Sequence, residues 1–566
     1  MPIKLLTIFK SFSRHERLLF IAAFLLFTVA GIFLIALVID QKTMLVAVRG
    51  GSYREGVLGQ PSFLNPILVN GNEADRDLTQ VLFSNVLDLA QSAKMSTDGK
   101  TWTIRLKDNV VWDNGTPITS DDVIFTVESI QNPDSRSSLL PVWQGVRVLR
   151  VSEREFTFVL PQPYAFFENN LEELRPIPKH IFGLLPAANI RLSNYNLEPV
   201  GSGPFKFDSL RKRNDGFITQ YTLARNENFF GTKPYLDEIT LKFYEDENAL
   251  LAALNISAID GAGGLQAASV QRINFSHQTF EIRMPRYYAL FFNTYASPAL
   301  ADKNVRIALS EAVDKEALIK KVFNGYALTV SGPMVPGMEG YALQAYPQSE
   351  FSYEKASRVL DLAGWQKGDD GIRSKNLGQP VKNPVPGGPK TAPTKLEFSL
   401  VVPKTKFLVD AAEMIKEEWE KIGVKLNLTT LDQQDIADTA LRTRNYEMII
   451  FGNVFGNNPD LFSFWHSSER FYPGLNLALY DNSVTDSLIE SVRKDIHPEA
   501  RDIDFASAQS SIAGDVPAVF LFSPSYIYVA KPWLNGFDRQ FIPLPSYRFQ
   551  GIESWYVKTA RVPRKG

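Results

Sequence analysis

The sequence predicts an α/β or α+β protein with two or more packed lobes behind a single membrane-spanning helix. Its 566 residues are more than one hydrophobic core usually supports, about 250 to 300 residues. Strand-like and helix-like patterns mix along the chain without a short repeat, which argues against a solenoid or a sandwich. The 45% share of hydrophobic residues excludes a disordered chain.

Charge and cysteine content exclude several kinds of function. The chain has 60 Lys and Arg against 62 Asp and Glu, so it lacks the basic footprint of a nucleic-acid-binding protein. It has no cysteine, which rules out disulfides, zinc–thiolate sites and cysteine nucleophiles. Its five histidines lie far apart without metal-ligand spacing. We therefore predict no metal site and no cofactor.

An apolar run over residues 18–39 predicts a transmembrane anchor. The run carries no charge and is long enough, at 1.5 Å per residue, to cross a hydrocarbon core of about 30 Å. Four basic residues precede it: Lys4, Lys10, Arg14 and Arg17. A cleaved signal peptide is the alternative, but the run is longer than a typical signal and no small-residue cleavage site follows. We expect a cytoplasmic tail (1–17), an uncleaved single-pass anchor (18–39) in the cell membrane, and an extracytoplasmic remainder.

The first clear local unit lies between residues 102 and 130. Trp102, Ile104 and Leu106 alternate with polar residues, which predicts a half-buried strand. The tripeptide at 113–115 predicts a tight turn, and Thr119 with Asp122 predicts a capped helix start.

The second unit has the order expected of a βαβ half-lobe. A helix is predicted over 410–422, ended by Gly423 and followed by a strand at 424–428. A further helix at 435–443 and a strand at 446–451 come next.

Capping residues and prolines mark the remaining elements. Asp314 is expected to cap the second of two short helices between 305 and 325, and Ser352 a helix that ends at Gly364. The segment 377–395 has five prolines and three glycines, which predicts an exposed loop inserted in a domain.

No catalytic motif is present in the sequence. There is no phosphate-binding loop, no GxSxG elbow and no HExxH. The carboxylate pairs Asp121–Asp122 and Glu172–Glu173 are interpreted as surface or capping residues. We expect a protein that is not an enzyme, while an exported hydrolase that uses paired carboxylates stays open as an alternative.

Seven segments in order resemble the oligopeptide/dipeptide-binding family of ABC-transporter solute-binding proteins, family 5. The resemblance covers about residues 45–545 and is carried by the segments 55–66, 102–126, 199–205, 223–244, 288–294, 305–327 and 356–365. The block WTIRLKDNVVWDNGTPITSDDVIFT at 102–126 and the set GSGPF at 201–205, RN at 225–226 and LDEI at 236–239 are specific in combination, whereas each alone is a weak indication.

The resemblance implies a two-lobed clamp with a discontinuous first lobe. Lobe I is expected to take 41–78, 198–283 and 520–566, with a subdomain at 79–197, and lobe II is expected at 284–519. Crossovers between the lobes are expected near 286–292 and 519–525. A monomer is expected to close on a ligand between the lobes and to deliver it to the permease and ATPase of an importer.

In peptide-binding members of this family, an aspartate in a lobe II loop pairs with the free amino group of the peptide. The matching stretch here is FGNVFGNNPD at 451–460, where the aspartate position is Phe455 or Gly456. Asp460 is a candidate substitute, although capping of the following helix is the competing interpretation. An unpaired buried ammonium is costly, so recognition of a free amino end is in question.

The candidate ligand-binding residues come from both lobes. Asn453, Asn457 and Asn458 are able to bond neutral amides or hydroxyls, while turn formation is their alternative role. Because neighbouring strand residues face opposite sides, at most one of Tyr287 and Tyr288 reaches a cleft. The predicted set is Gln60, Ser62, Tyr288, Asn453, Phe455, Asn457, Asn458 and Asp460.

The predicted function is capture of peptides, or of a related polar oligomer, for an ABC importer. A clamp that takes a non-peptide ligand is the nearest alternative. A clamp kept for signalling or as a chaperone is another.

Overall fold

A computed structural model describes residues 12–347, 350–378 and 392–564. Two large sheets form the centres of two lobes. The strands of the seven-stranded sheet of lobe I are, in spatial order, Gln278–Ile282, Tyr526–Ala530, Gly261–Gly263, Ser52–Leu58, Glu238–Tyr244, Ile218–Arg225 and Phe205–Lys212. The strands of the six-stranded sheet of lobe II are Ala327–Thr329, Ala518–Pro524, Arg286–Phe292, Met448–Val454, Glu397–Pro403 and Lys425–Leu431.

Three smaller sheets complete the β-structure of the described residues. The subdomain sheet has the order Ala90–Met95, Thr101–Leu106, Glu155–Val159 and Arg147–Arg150. A three-stranded sheet on lobe II contains Gln366–Lys367, Arg373–Lys375 and Thr394–Lys395. A two-stranded ribbon pairs Thr43–Val48 with Lys558–Pro563.

Helices cover both faces of the lobe II sheet and flank the other sheets. The longer helices are Arg14–Lys42, Glu73–Leu82, Ser120–Gln131, Glu247–Asn255, Lys303–Glu311, Lys315–Phe323, Tyr353–Leu362, Lys406–Lys421, Ser483–Lys494 and Pro498–Asp515. The shorter ones are Val86–Leu89, Leu140–Trp143, Phe167–Glu173, Lys179–Phe182, Ala267–Val270, Pro298–Ala301, Gln433–Asp435 and Phe462–Trp465. The predicted two-lobed α/β architecture is confirmed.

The hydrophobic core follows this division. Lobe I and the subdomain share one continuous cluster, which includes the buried side chains of Trp102, Trp143 and Trp555. The lobe II sheet has a separate cluster on each face, one around Trp419 and the other around Trp465. Each lobe therefore has its own apolar core, as a two-lobed chain of this length requires.

The chain passes between the two large sheets at two adjacent places. It leaves the lobe I sheet at Ile282 and enters the lobe II sheet at Arg286, and it returns from Pro524 to Tyr526 through Ser525. In the lobe I sheet Gln278–Ile282 and Tyr526–Ala530 are antiparallel neighbours. In the lobe II sheet Arg286–Phe292 and Ala518–Pro524 are antiparallel neighbours. The Ser525 hydroxyl also donates to Glu281 at 2.7 Å. The two crossings thus lie side by side, as in a hinge.

Several predicted caps are confirmed. Thr119 and Asp122 form a capping box at the start of Ser120–Gln131. Asp314 and Ser352 accept hydrogen bonds from the first turns of their helices. Gly423 has a φ of +79° after the helix Lys406–Lys421. These features depend on residues close in sequence, which is why the sequence predicts them.

Some predicted boundaries are wrong. The helix predicted from 410 begins at Lys406, because Leu408 already extends the buried face that Ile415 continues. The strand predicted at 446–451 is Met448–Val454, since it pairs over seven residues with Arg286–Phe292. The helix predicted at 435–443 begins at Gln433 and continues as a π-helix over Ile436–Leu441.

Two other predicted segments are placed differently or only in part. The boundary predicted at residue 520 falls inside the strand Ala518–Pro524, and the change of sheet occurs at Ser525. Most of the loop predicted at 377–395 lies outside the described residues, although Thr394–Lys395 pairs with Ser374 and Lys375. The remaining divisions of the chain into lobes stay predictions.

The predicted apolar run lies within one helix, Arg14–Lys42, whose most apolar 18 residues are not buried against the rest of the protein. By length and composition this helix is able to cross a membrane, and a signal sequence meets the same criteria. Residues 1–11 of the predicted cytoplasmic tail lie outside the described residues.

A buried ion cluster joins the first and last segments of lobe I. The Arg548 guanidinium lies 3.0 Å from Glu55 and 2.6 Å from Asp77, and all three side chains are almost fully buried. The Tyr528 hydroxyl donates to Glu55 at 3.0 Å. Burial raises the pKa of Glu55 to about 7, and the charge of Arg548 opposes that rise.

Removal of this guanidinium is expected to destabilise lobe I. Arg548→Met leaves the carboxyl groups of Glu55 and Asp77 buried without their cation, a loss of about 3 to 5 kcal/mol. Denaturant unfolding measures this loss. The control is Arg213→Met, which removes exposed ion pairs with Asp215 and Glu245 and is expected to reduce stability far less. Equal stability of the two variants would contradict the stabilising role of the cluster.

Glu418 is expected to make lobe II less stable at alkaline pH. Its carboxylate oxygens each lie 3.3 Å from the amide nitrogen of Asp314, and burial raises its pKa from 4.5 to about 7. Because the folded state favours the protonated form, stability is full below about pH 4.5 and falls as the pH rises through about 7.

The substitution Glu418→Gln keeps a hydrogen-bond acceptor and removes the titration. We expect it to raise the free energy of unfolding by roughly 2 kcal/mol at pH 8 and to change it little at pH 5. Thermal unfolding at both pH values measures the difference. The neighbouring exposed Glu417→Gln is the control, and an effect of Glu418→Gln that does not vary with pH would contradict the prediction.

Candidate functional site

The candidate site lies in the interlobe cleft, where strands of lobe II end. Glu397–Pro403 and Met448–Val454 run parallel, so their carboxyl ends open at the same edge of the sheet. Ligands of α/β proteins bind at such edges. Two cavities lie here, and we call them the hinge cavity and the loop cavity.

The hinge cavity has a volume of about 390 Å³ and receives residues from both lobes. Its aromatic lining consists of Tyr288, Phe323, Tyr326, Phe407 and Tyr526. Such a mixture of aromatic walls and a few polar groups is usual for a ligand pocket. Gly264 to Ala268 of lobe I close the opposite side.

Tyr288 of the predicted set lies in the hinge cavity. Its ring is half-buried and meets Phe407 edge-on at 5.1 Å between ring centroids. Tyr287, one residue earlier, is fully buried on the other face of the sheet. The alternation of a strand thus separates the two tyrosines, as the sequence predicts.

Arg286 gives the hinge cavity a cationic group without an internal acceptor. Its Nε atom is buried and has no hydrogen-bond partner among the described residues. The other cation of the cavity, Lys406, is paired with Asp410 at 2.7 Å. A ligand carbonyl or carboxylate oxygen is the kind of group that Arg286 is able to bind.

The loop cavity has a volume of about 600 Å³ and separates the subdomain from lobe II. Subdomain residues around Tyr164 and Phe167 form one wall. Three residues of the predicted set, Phe455, Asn458 and Asp460, line the other wall. The structure therefore places these three predicted residues together, in one cavity with residues of the subdomain.

Each carboxylate oxygen of Asp460 accepts one hydrogen bond from the protein, and the carboxylate also forms an ion pair. It lies 2.9 Å from the Arg493 Nε atom, and it accepts from the Tyr164 hydroxyl at 3.1 Å. It also accepts from the amide of Phe462 at 2.9 Å. Asp460 is therefore not the N-cap of the helix Phe462–Trp465, because Leu461 holds that position and Asp460 precedes it. Burial and the nearby Asp460 charge raise the pKa of Tyr164 above its ordinary value, so its hydroxyl stays a donor.

The neighbouring asparagines also join lobe II to the subdomain. Asn458 donates to the Tyr164 hydroxyl at 2.7 Å, and Asn457 donates to Glu172 at 2.5 Å. Asn169 donates to the Asn457 carbonyl at 2.8 Å. Glu172 was expected to be a surface or capping residue, and this expectation is wrong, because the contact with lobe II half-buries it.

Asn453 and Phe455 lie deeper than the rest of the loop. The Asn453 side chain is 2% exposed and donates to the Tyr287 hydroxyl at 2.8 Å. The ring of Phe455 packs against Tyr287 and Phe464. Between these residues and Asn457, Gly456 has a φ of +63°, and open space surrounds the position that a Cβ would take there.

Gln60 and Ser62 lie apart from both cavities. The Gln60 side chain accepts from the amide of Ile218 at 2.8 Å within lobe I. Ser62 is exposed, and its amide donates to the buried Asp75, whose pKa burial raises to about 6. Neither residue lines the hinge cavity or the loop cavity.

Sequence reasoning missed four residues that shape the cleft. Arg286 lies at the start of a predicted crossover, but nothing in the sequence shows that its guanidinium lacks an acceptor. Phe407, Tyr164 and Arg493 come from distant segments and meet the site only through tertiary packing. Among the described residues, no group of three or more His, Asp or Glu side chains is placed to hold a metal ion.

Comparison with known proteins agrees with this architecture. The profile of bacterial extracellular solute-binding proteins, family 5 (middle part), matches residues 85–471, more than half of the chain. The chain belongs to this family. The match confirms the resemblance found in the sequence. Members of this family work with ABC importers.

Relatives of this family 5 protein extend the match over nearly the whole chain. The oligopeptide-binding protein AppA of Bacillus subtilis is 25% identical over 527 residues, which are 90% of this chain and 92% of AppA. The nickel-binding periplasmic protein of Escherichia coli is 29% identical over 362 residues, or 62% of this chain and 63% of that protein. These relatives are solute-binding proteins rather than enzymes.

Solved structures show the same fold. The substrate-binding protein CtaP of Listeria monocytogenes has a TM-score of 0.75 at 25% identity and covers 90% of this chain and 100% of CtaP. AppA of Bacillus subtilis in complex with a nonapeptide has a TM-score of 0.67 at 25% identity, with coverage of 91% and 100%.

Loss of the Arg493 cation is expected to loosen the contact between the subdomain and lobe II in this family 5 protein. Arg493→Gln leaves the Asp460 carboxylate without its ion pair and removes the guanidinium that lies over the Phe462 ring at 4.1 Å. We expect amide hydrogen exchange at residues 164–173 and 453–460 to rise by about tenfold without ligand.

The neighbouring Lys494→Gln is the matched control, because Lys494 pairs only with Glu490 of its own helix among the described residues. It is expected to leave exchange in both segments unchanged. Equal exchange in the two variants would show that the ion pair does not hold the contact.

Proposed function

We propose that this protein is a membrane-anchored extracytoplasmic receptor that captures peptides, or a related polar oligomer, in the interlobe cleft for an ABC importer. The observation that carries the proposal is the hinge cavity at two adjacent crossings between the lobes. Similarity to AppA over 90% of the chain supports peptides as the ligand class.

The apolar helix supports retention on the membrane. It runs from Arg14 to Lys42, and its apolar core exceeds the length usual for a signal peptide. With the basic residues before it on the cytoplasmic side, both lobes lie on the extracytoplasmic face. A tethered monomer of this kind meets its permease and ATPase by diffusion in the same membrane.

The two cavities support a ligand that crosses the cleft. Arg286 and the aromatic rings of the hinge cavity suit a carbonyl or carboxylate oxygen and an apolar side chain. The loop cavity is lined by the amide of Asn458 and the hydroxyl of Tyr164, which bond each other in this structure and suit neutral polar groups once that contact opens. Ligand entry then requires the contacts between subdomain and lobe II to open and closure to restore them.

The lobe II loop does not provide a vacant carboxylate for a peptide amino group. The three carboxylates that reach it, Asp460, Glu172 and Glu173, already accept hydrogen bonds from protein donors. Gly456 stands at one of the two positions where peptide-binding relatives are expected to carry the aspartate. We infer that the amino end of a bound peptide is held by neutral acceptors.

Mass spectrometry of the purified full chain, first native and then denatured, identifies the ligand that co-purifies. A series of short peptides is the expected result. A single non-peptide compound would keep the clamp and replace the ligand class, an outcome that the missing aspartate and the nickel-binding relative make worth testing.

Introduction of the missing carboxylate is expected to create a preference for free amino ends. Gly456→Asp has room for its side chain, because a Cβ at this position meets no atom within 4 Å, and aspartate is one of the residues that adopt a positive φ with modest strain. A charge-assisted hydrogen bond is expected to favour free over N-acetylated peptides by about tenfold.

Calorimetric titration with a synthetic peptide mixture, free and N-acetylated, measures this preference. The wild type is expected to bind both forms within about threefold. Gly456→Asn is the uncharged control with the same backbone tolerance. A wild type that already rejects acetylated peptides would contradict the inference about neutral acceptors.

A further inference from the structure

The anchor helix continues into a β-ribbon without an intervening linker. The helix ends at Lys42, and the strand Thr43–Val48 begins at the next residue. This strand pairs antiparallel with Lys558–Pro563 in six consecutive residue pairs, from Thr43 opposite Pro563 to Val48 opposite Lys558. The strands Thr43–Val48 and Lys558–Pro563 therefore meet where the helix ends.

The upper end of the ribbon is fixed to lobe I on both strands. After the first strand, the amide of Gly50 donates to the Tyr235 carbonyl at 2.7 Å, and the chain enters the central strand Ser52–Leu58. Before the second strand, Tyr556 and Asn535 exchange two backbone hydrogen bonds of 3.0 Å. Six residues at about 3.4 Å each make a stalk of roughly 20 Å.

The lower end of the ribbon carries cations and exposed apolar side chains. Lys42, Arg561 and Arg564 lie there, and Arg561 is 3.2 Å from Asp40 at the end of the helix. The Arg564 amide donates to the Lys42 carbonyl at 2.9 Å, which extends the pairing towards the helix. Met44 and Leu45 are 47% and 59% exposed.

Water alone is a poor environment for this end of the ribbon. A two-stranded ribbon is at most marginally stable in water without a surface to pack on, and Met44 and Leu45 at the lower end of this one are exposed, whereas residues 46–48 are half-buried. The first two residue pairs rise about 7 Å above the helix, which is close to the thickness of one headgroup layer. Cations with flanking apolar side chains are the composition that binds such a layer.

We propose that the lower end of the ribbon is seated in the headgroup layer of the membrane, with Lys42 and Arg564 on the phosphates of anionic phospholipids. Met44 and Leu45 then lie at the level of the headgroups. This inference rests on the anchor of the proposed function and adds that the C-terminal strand belongs to the membrane attachment. The seated ribbon holds lobe I at a fixed height of roughly 20 Å above the end of the helix.

The absence of native cysteine allows a direct test on the full chain. Single cysteines at Met44→Cys, Val562→Cys and Lys558→Cys are labelled with an environment-sensitive fluorophore. The proteins are reconstituted in phosphatidylcholine vesicles with and without phosphatidylglycerol. A lipid with a nitroxide on its headgroup then quenches labels at headgroup depth.

We expect quenching at positions 44 and 562 to be at least about threefold stronger than at 558, which lies on the same strand as 562 at the far end of the ribbon. Arg564→Gln is expected to remove the extra quenching at 562 that phosphatidylglycerol gives. Equal quenching at 562 and 558 would overturn the placement of the ribbon in the headgroup layer. Quenching at 562 that does not change with phosphatidylglycerol would overturn the assignment of anionic lipid.

Two controls separate this inference from its premises. A label at Val38→Cys, quenched by nitroxide deep in the acyl chains, reports whether the helix is inserted, so its failure points to the anchor and not to the ribbon. The double variant Met44→Cys/Val562→Cys joins opposed residues of the register and is expected to form a disulfide, whereas Met44→Cys/Lys558→Cys is not. A missing cross-link in the first pair would show that the two strands do not pair in the reconstituted protein.

Discussion

The buried cluster of Arg548, Glu55 and Asp77 is the interaction on which the rest of the structure depends. Lobe I is assembled from segments that are hundreds of residues apart, and the cluster ties the last of them to the first. A buried charge without its partner is costly, so the cluster is stable only when both of these segments are in place. Through Tyr528 it also fixes the return strand next to the hinge.

The contacts between the subdomain and lobe II are of a more mixed character. They combine side-chain amides, hydroxyls and one partly exposed ion pair with one buried apolar side chain, Phe166, which packs against Phe505 in a lobe II cluster. The polar contacts exchange with water at little net cost, whereas opening of the cleft also exposes the Phe166 ring. A rigid lobe I and a separable contact at the cleft together allow lobe movement about two adjacent crossings.

How much of the site could be predicted depends on how local each feature is. The separation of Tyr287 from Tyr288 follows from strand alternation, and the caps at Asp314 and Ser352 follow from short-range hydrogen bonds. The burial of Asn453 against Tyr287 does not follow, because it depends on the register between two strands more than 150 residues apart. The pairing of Asp460 with Arg493 is non-local in the same way.

The sequence by itself determined the lobe count, the apolar helix, the α/β class and the family, since these follow from length, composition and the order of short segments. Only the tertiary structure decided which polar groups are left for a ligand. Arg286 has a buried Nε without an acceptor, while Asp460 and Glu172 are engaged. Whether a charged side chain is vacant depends on neighbours brought from distant parts of the chain, and no local pattern records them.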